Sequence, residues 1–156
     1  ACLDAAGNLY VTDGYGNSCL HAFDSKRELR YTVGGQGQAA GKFSTPHSLL
    51  HLHDGHLLVA DRENNRLQRF DTAGAARGEV TDVFKPMGLA QMADGTVLVT
   101  DQTPRLSRFS EDGSVLVGRC RTFSTFAHGV AAAPDGSVYL AEMAPDVVTR
   151  LVPLPP

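Results

Sequence analysis

A chain of 156 residues, 42% of them hydrophobic and 20% charged, is long enough to bury a core of its own. Its formal net charge of −3, with 14 Lys and Arg against 17 Asp and Glu, leaves no electrostatic footprint for nucleic acid or an anionic membrane surface. No apolar run reaches the roughly 18 residues that cross a bilayer, and no signal peptide is visible at the start. The chain opens inside a patterned segment, which leaves room for a leader upstream. Cys2, Cys19 and Cys120 are too few and too scattered for a disulfide framework or a zinc cluster, and read as free thiols.

Taken in order, the predicted elements are short strands punctuated by turns. The first clear one is Leu9-Tyr10-Val11-Thr12-Asp13, after the turn Ala6-Gly7-Asn8, and Cys19-Leu20-His21-Ala22-Phe23-Asp24 follows it. The glycine-rich stretch Gly34 to Gly41 reads as an enlarged loop. Its Gly34-Gly35-Gln36-Gly37 segment lacks the lysine and the following helix of a phosphate-binding loop. Ser48-Leu49-Leu50 then precedes Asp54-Gly55 and the strand Leu57-Leu58-Val59-Ala60-Asp61. A polar turn, Glu63-Asn64-Asn65, leads to Arg66-Leu67-Gln68-Arg69-Phe70-Asp71. The pattern recurs in Gly88-Leu89-Ala90, Val97 to Asp101, Arg105 to Ser110, and an outer strand from Ser114 to Val117. It recurs once more in Gly129-Val130-Ala131 and Val138-Tyr139-Leu140-Ala141-Glu142.

The acids that close the second strand of each unit, Asp13, Asp61, Asp101 and Glu142, lie 48, 40 and 41 residues apart. Four antiparallel strands in roughly 40 residues are the signature of a propeller blade. Period-two alternation argues against helices throughout. A β-sandwich also has short strands at regular spacing, but it does not repeat a whole four-strand unit. The fold is therefore all-β, a propeller of about three and a half blades over residues 1–152, with 153–156 as a proline-rich tail. Propellers close with four to eight blades, so completion from outside this stretch is expected. An open arc would leave exposed sheet faces and edges.

Chemistry belongs where each innermost strand begins, at the mouth of the central channel. Those positions hold Pro46-His47-Ser48, Pro86-Met87-Gly88 and Ala127-His128-Gly129. His47, Met87 and His128 each stand 14 residues before their blade's acid. Two histidines thus face one axis from alternate blades, separated by about 120° if six blades close the ring. A third from the next alternate blade would complete the three-histidine set of a catalytic zinc site. The alternative is that these histidines only supply polar wall to the channel.

Three segments carry a family resemblance. They are Val11-Thr12-Asp13-Gly14-Tyr15-Gly16-Asn17-Ser18, Gly41-Lys42-Phe43-Ser44-Thr45-Pro46-His47-Ser48-Leu49, and Val59-Ala60-Asp61-Arg62-Glu63-Asn64-Asn65-Arg66-Leu67-Gln68. Together with Asp82 to Pro86 and the His128 segment, they resemble the NHL-repeat lyases that make peptide amides, the peptidyl-α-hydroxyglycine α-amidating lyases. The resemblance covers nearly the whole chain. It implies an NHL-type six-bladed propeller holding Zn2+ on three histidines, two of them His47 and His128, with the third outside this chain. It implies Tyr15 as the catalytic tyrosine and Arg62 as an arginine near the active site. The implied substrate is a C-terminally α-hydroxyglycine-extended peptide or a small N-acyl-α-hydroxyglycine, cleaved to an amide and glyoxylate. It also favours a secreted or extracytoplasmic setting.

The residue types suit that chemistry, through a Lewis-acidic metal, a phenolate base and a guanidinium for the carboxylate. Each has an alternative. Tyr15 could be an ordinary turn aromatic, and Arg62 could pair with Asp61 or Glu63 on the blade surface. Gly16, Leu58 and Arg69 stand where the animal lyases have disulfide cysteines, which implies a bacterial-type or less oxidised relative. Phe126 replaces a methionine near the zinc. Gly129 replaces a calcium-binding aspartate, so the resemblance does not carry a Ca2+ site. His51, His53 and His56 flank a tight turn and read as an incidental polar hairpin. The competing function is a non-catalytic NHL propeller that binds a protein partner. A lactonase-type propeller is disfavoured because no set of acids stands at the channel mouth.

Overall fold

The structure, a computed structural model, describes residues 1–122 and 126–154. Pro155 and Pro156, the end of the predicted tail, lie outside the described residues. The first sheet comprises β1 (Cys2–Leu3), β2 (Leu9–Asp13), β3 (Cys19–Phe23) and β4 (Leu29–Gly34). The second comprises β5 (Pro46–His51), β6 (Leu57–Asp61), β7 (Arg66–Phe70) and β8 (Ala76–Val80). The third is built from β9 (Pro86–Gln91), β10 (Val97–Asp101), β11 (Thr103–Phe109) and β12 (Leu116–Arg121). The fourth is built from β13 (Ala127–Ala132), β14 (Val138–Met143) and β15 (Asp146–Leu151). Every pairing is antiparallel between sequential strands, as expected of propeller blades.

Local chemistry sets the turns. In the β9–β10 hairpin the Asp94 carboxylate accepts the Thr96 N–H at 3.0 Å, and Gly95 adopts φ +86°, a conformation that costs a side-chain-bearing residue. The same Asp-Gly device recurs at Asp54 and Asp135. The outer strand β12 starts at Leu116, two residues later than the sequence pattern indicates. Asp112 captures both the amide and the hydroxyl of Ser114, which draws Ser114 and Val115 into the turn.

The hydrophobic core lies between blades. Tyr10, Leu20, Phe43, Val59 and Phe70 fill the space between the first and second sheets. Leu58, Leu67, Leu89, Val99 and Phe109 fill the second interface, and Leu98, Leu106, Val138 and Leu140 the third. This layering follows from the alternation, since one face of each strand points to the preceding blade and the other to the next. The enlarged loop after β4 joins the first two blades. Its Phe43 is fully buried, and its Gln36 side chain bridges the Ser18 and Ser44 hydroxyls, at 3.0 Å each.

The blade acids are structural anchors. Asp61 is fully buried. It accepts the Ser44 N–H at 2.7 Å, the Arg66 guanidinium at 2.8 Å and the Asn64 amide at 2.8 Å. Asp101 repeats the scheme with the Phe84 N–H and Arg105. Each carboxylate thereby ties the segment entering its innermost strand to β7 or β11. This fixes the channel mouth.

Candidate functional site at the channel mouth

The innermost strands β5, β9 and β13 share one irregularity. Pro46 pairs with Asp61 and Ser48 with Ala60, so His47 is an extra residue in the ladder. Met87 is skipped in the same way between Pro86 and Gly88, and His128 between Ala127 and Gly129. Each is thus the added residue of a β-bulge, a device that re-aims a side chain out of the regular pleat. The constant spacing to the acid was visible in the sequence. The bulge was not.

The two histidines converge. Their ring centroids lie 4.8 Å apart at an interplanar angle of 72°. His47 Nδ1 lies 2.9 Å from the Met87 carbonyl oxygen, and because a carbonyl only accepts, Nδ1 carries the proton. That leaves Nε2 of neutral His47 with a free lone pair, the arrangement that a metal-ligating imidazole has. Burial pushes the His47 pKa below the ordinary imidazole value, with the nearby His128 and Arg62 adding to the effect and the Met87 bond opposing it. Neutral imidazole is the form that binds a metal. Met87, buried between them in the same slot of the intervening blade, holds one ring in place through its backbone.

Tyr15 sits beside this pair on the turn after β2. Its ring centroid is 6.3 Å from that of His47, nearly perpendicular, and its side chain is 80% exposed, so a substrate can reach the phenol. Two features place that turn. Gly14 lies so close to β5 that a Cβ there would come within 2.6 Å of the Pro46 carbonyl oxygen. The Asp13 carboxylate folds the turn by accepting the Gly16 and Asn17 amides at 2.9 and 3.0 Å. These bonds hold the Asp13 pKa below the usual carboxylate value, chiefly through the Asn17 amide.

Arg62, the first residue after Asp61, reaches the same place. Its Nη1 donates to the Tyr15 hydroxyl at 2.9 Å, and its guanidinium carbon lies 5.4 Å from the Tyr15 ring centroid. Its Nε also pairs with Glu63 at 2.9 Å, so the surface pairing and the approach to Tyr15 hold together. Glu63 in turn pairs with Lys85 at 3.1 Å. The four residues singled out from the sequence therefore form one contiguous group from three blades. Glu63 was named as an alternative partner of Arg62, whereas Lys85, Gly14 and the Met87 carbonyl were not singled out. Only the repeat position of Met87 gave a hint.

The other histidines are dispersed. His51 stacks on Tyr10 with centroids 6.3 Å apart, whereas His56 joins Asp54 and Arg69 near the outer hairpin. Among the described residues no three His, Cys, Asp or Glu side chains come together as a metal-binding set. His47 and His128 are two imidazoles in reach of one another, one short of the three protein ligands of an open zinc site. All three cysteines are free thiols.

Comparisons with known proteins agree with this architecture. Residues 43–70 match the NHL repeat family. The chain carries an NHL repeat. It is 26% identical, over 93% of its length and 46% of the relative's, to a Caenorhabditis elegans protein named "Probable peptidyl-alpha-hydroxyglycine alpha-amidating lyase pgal-1". It is 30% identical to peptidyl-glycine alpha-amidating monooxygenase B of Xenopus laevis, over 94% of this chain and 19% of that one. It is 29% identical to human NHL repeat-containing protein 3, over 97% of this chain and 48% of the relative. The resemblance to the amidating lyases thus extends along nearly the whole chain. The chain spans about half the length of pgal-1 and of NHL repeat-containing protein 3. Among solved structures, virginiamycin B lyase from Staphylococcus aureus superposes with a TM-score of 0.73 at 14% identity, covering 97% of this chain and 54% of that one. The WD40 propeller domain of Doa1 gives 0.73 at 9% identity, covering 94% and 47%. At these identities the likeness is one of fold, and the fold is a β-propeller.

Proposed function

We propose that this chain is part of a zinc-dependent lyase, completed by further blades, that cleaves peptidyl-α-hydroxyglycine to a peptide amide and glyoxylate. The observation that carries the reading is the convergence of His47 and His128, with centroids 4.8 Å apart, beside a Tyr15–Arg62 pair joined at 2.9 Å. The name of one relative, an α-hydroxyglycine α-amidating lyase, supports this reaction, and a second relative is named for peptide amidation. His47, through Nε2, and His128 would hold the metal together with a third histidine from blades outside this chain. A bound zinc supplies Lewis acidity to the substrate hydroxyl.

The chain's own residues account for the remaining work. Arg62 presents a planar donor fork suited to the substrate carboxylate. Tyr15 takes the proton of the hydroxyl as that oxygen becomes the aldehyde of glyoxylate. The C–N bond breaks, and the departing nitrogen gains a proton to become the primary amide, so no oxidant or reductant is consumed. The Met87 carbonyl keeps His47 in the tautomer with Nε2 free.

A second reading, a non-catalytic propeller that binds a protein partner, has its own observation. NHL repeat-containing protein 3 is 29% identical to this chain, against 26% for the relative named as a lyase. Metal analysis of the complete protein separates the two. The lyase reading expects about one zinc per molecule, lost in His47→Ala and in His128→Ala, together with loss of α-hydroxyglycine cleavage. Unchanged metal content in both variants would sink it.

A further inference from the structure

We infer that Gln102 is a specificity-determining residue that pairs with the peptide group one residue before the scissile amide, an inference that rests on the lyase reading above. The residues that follow the blade acids are Gly14, Arg62, Gln102 and Met143. From that position Arg62 reaches the Tyr15 hydroxyl at 2.9 Å. Gln102 holds the equivalent position in the blade between the two that bear the histidines. Its Nε2 lies 3.8 Å from Sδ of Met87, the residue whose carbonyl fixes His47. Its backbone N–H donates to the Phe84 carbonyl at 3.0 Å, so its place is set by the fold.

The hydrogen-bonding balance of this side chain points to a ligand. A primary amide offers two N–H donors and a carbonyl acceptor, and a thioether is a weak partner. Among the described residues, Met87 is the only partner of the Gln102 side chain. A half-buried amide whose one partner among the described residues is a thioether is complementary to another amide, which offers one donor and one acceptor of its own. Charge selects the same match. Arg62 and Lys85 attract the substrate carboxylate, and neutral Gln102 does not compete for it.

Substrate geometry supplies the direction. The reacting carbon carries a carboxylate, a hydroxyl and an amide nitrogen. With the carboxylate at Arg62 on the second blade and the hydroxyl at the paired imidazoles on the axis, the acyl chain leaves toward a third side. An acyl chain that runs toward the third blade would meet Gln102, which lies against Met87 there.

The test compares wild type, Gln102→Ala and the neutral, similarly sized Gln102→Met in the complete, zinc-loaded protein. The substrates are an N-acetyl-dipeptidyl-α-hydroxyglycine and N-benzoyl-α-hydroxyglycine, which has no peptide group before its scissile amide. One or two lost hydrogen bonds predict a fall in kcat/KM of about 5- to 50-fold on the peptide, carried by KM, with the benzoyl substrate changed by less than about 2-fold. Gln102→Met keeps the approximate volume and removes the amide without adding charge, so it reports even where the alanine variant folds poorly. Equal losses on both substrates, or none on either, overturn the inference and leave the lyase reading standing. If wild type turns over neither substrate, the lyase reading fails and this inference falls with it.

Discussion

A methyl group at position 14 would lie 2.6 Å from the Pro46 carbonyl oxygen, closer than a real Cβ approaches backbone. Gly14 is therefore the residue that lets the Tyr15 turn press against the strand bearing His47. Gly14→Ala is expected to push the phenol away from the imidazole while leaving His47 and His128 able to hold metal. A displacement on the order of 1 Å lowers turnover by about 10- to 100-fold. The expected result is that fall in kcat with zinc content unchanged, and metal analysis beside steady-state kinetics reads both. Loss of zinc together with activity would instead place the damage in β5 itself. The sequence showed Tyr15, His47, Arg62 and His128 as candidates because repeat position and family likeness mark residue types. It did not show Gly14 or the Met87 carbonyl as partners, because close backbone approach and tautomer control depend on where two distant segments meet. It also posed the roles of Arg62 as alternatives, whereas one guanidinium serves both Glu63 and Tyr15.

At the level of elements, strand order and blade boundaries were legible because turn dipeptides and alternation are local signals. The bulges at His47, Met87 and His128 were not, since register emerges only when two strands pair. The turn from Ser110 to Val115 shows how a polar side chain shifts a strand boundary and also links blades. Asp112 accepts the Ser110 hydroxyl at 2.6 Å and the Ser114 hydroxyl and amide, and it lies 3.7 Å from Arg69 of the second blade. Arg69 also pairs with Asp54. The Ser110 hydroxyl chiefly, then Ser114 and Arg69, hold the Asp112 pKa at about 2 against the opposing cost of partial burial. A carboxyl whose folded pKa lies below its ordinary value of 3.8 gives the folded state stability that is complete above that value. It is lost as pH falls from there toward about 2. Asp112→Asn removes this contribution. Urea midpoints of wild type and variant should differ near pH 7 and converge as acid protonates Asp112. A difference that persists unchanged to about pH 2 would show that geometry, rather than charge, is what the variant lost.

At the scale of the whole molecule, the two ends of the arc differ from its interior in one respect. Gly88 and Gly129 hold equivalent positions on β9 and β13. A Cβ at Gly88 would meet the Val130 amide and the Gly129 Cα of the next blade at 3.0 and 3.1 Å, whereas at Gly129 it would meet only the Ala141 side chain at 3.6 Å. The fourth sheet thus presents the same close-packing surface that the third uses, with no blade on it among the described residues. Val148, which pairs with Ala141, is 69% exposed there. The first sheet presents the opposite face, where Leu3, Leu9, Phe23 and Leu29 form one row across paired strands and Leu29 is 60% exposed. Interior faces of the same composition are buried between blades, so these two carry an unspent hydrophobic driving force, about 25 cal/mol for each Å² of apolar area removed from water. The 156-residue chain produced by itself is therefore expected to self-associate at micromolar concentration. Lysine on both faces, as Leu29→Lys with Val148→Lys, should shift it toward monomer without changing its β-sheet circular dichroism. Sedimentation velocity decides the matter, because a wild-type chain that stays monomeric at high micromolar concentration would mean that these faces are too small or too polar to drive association.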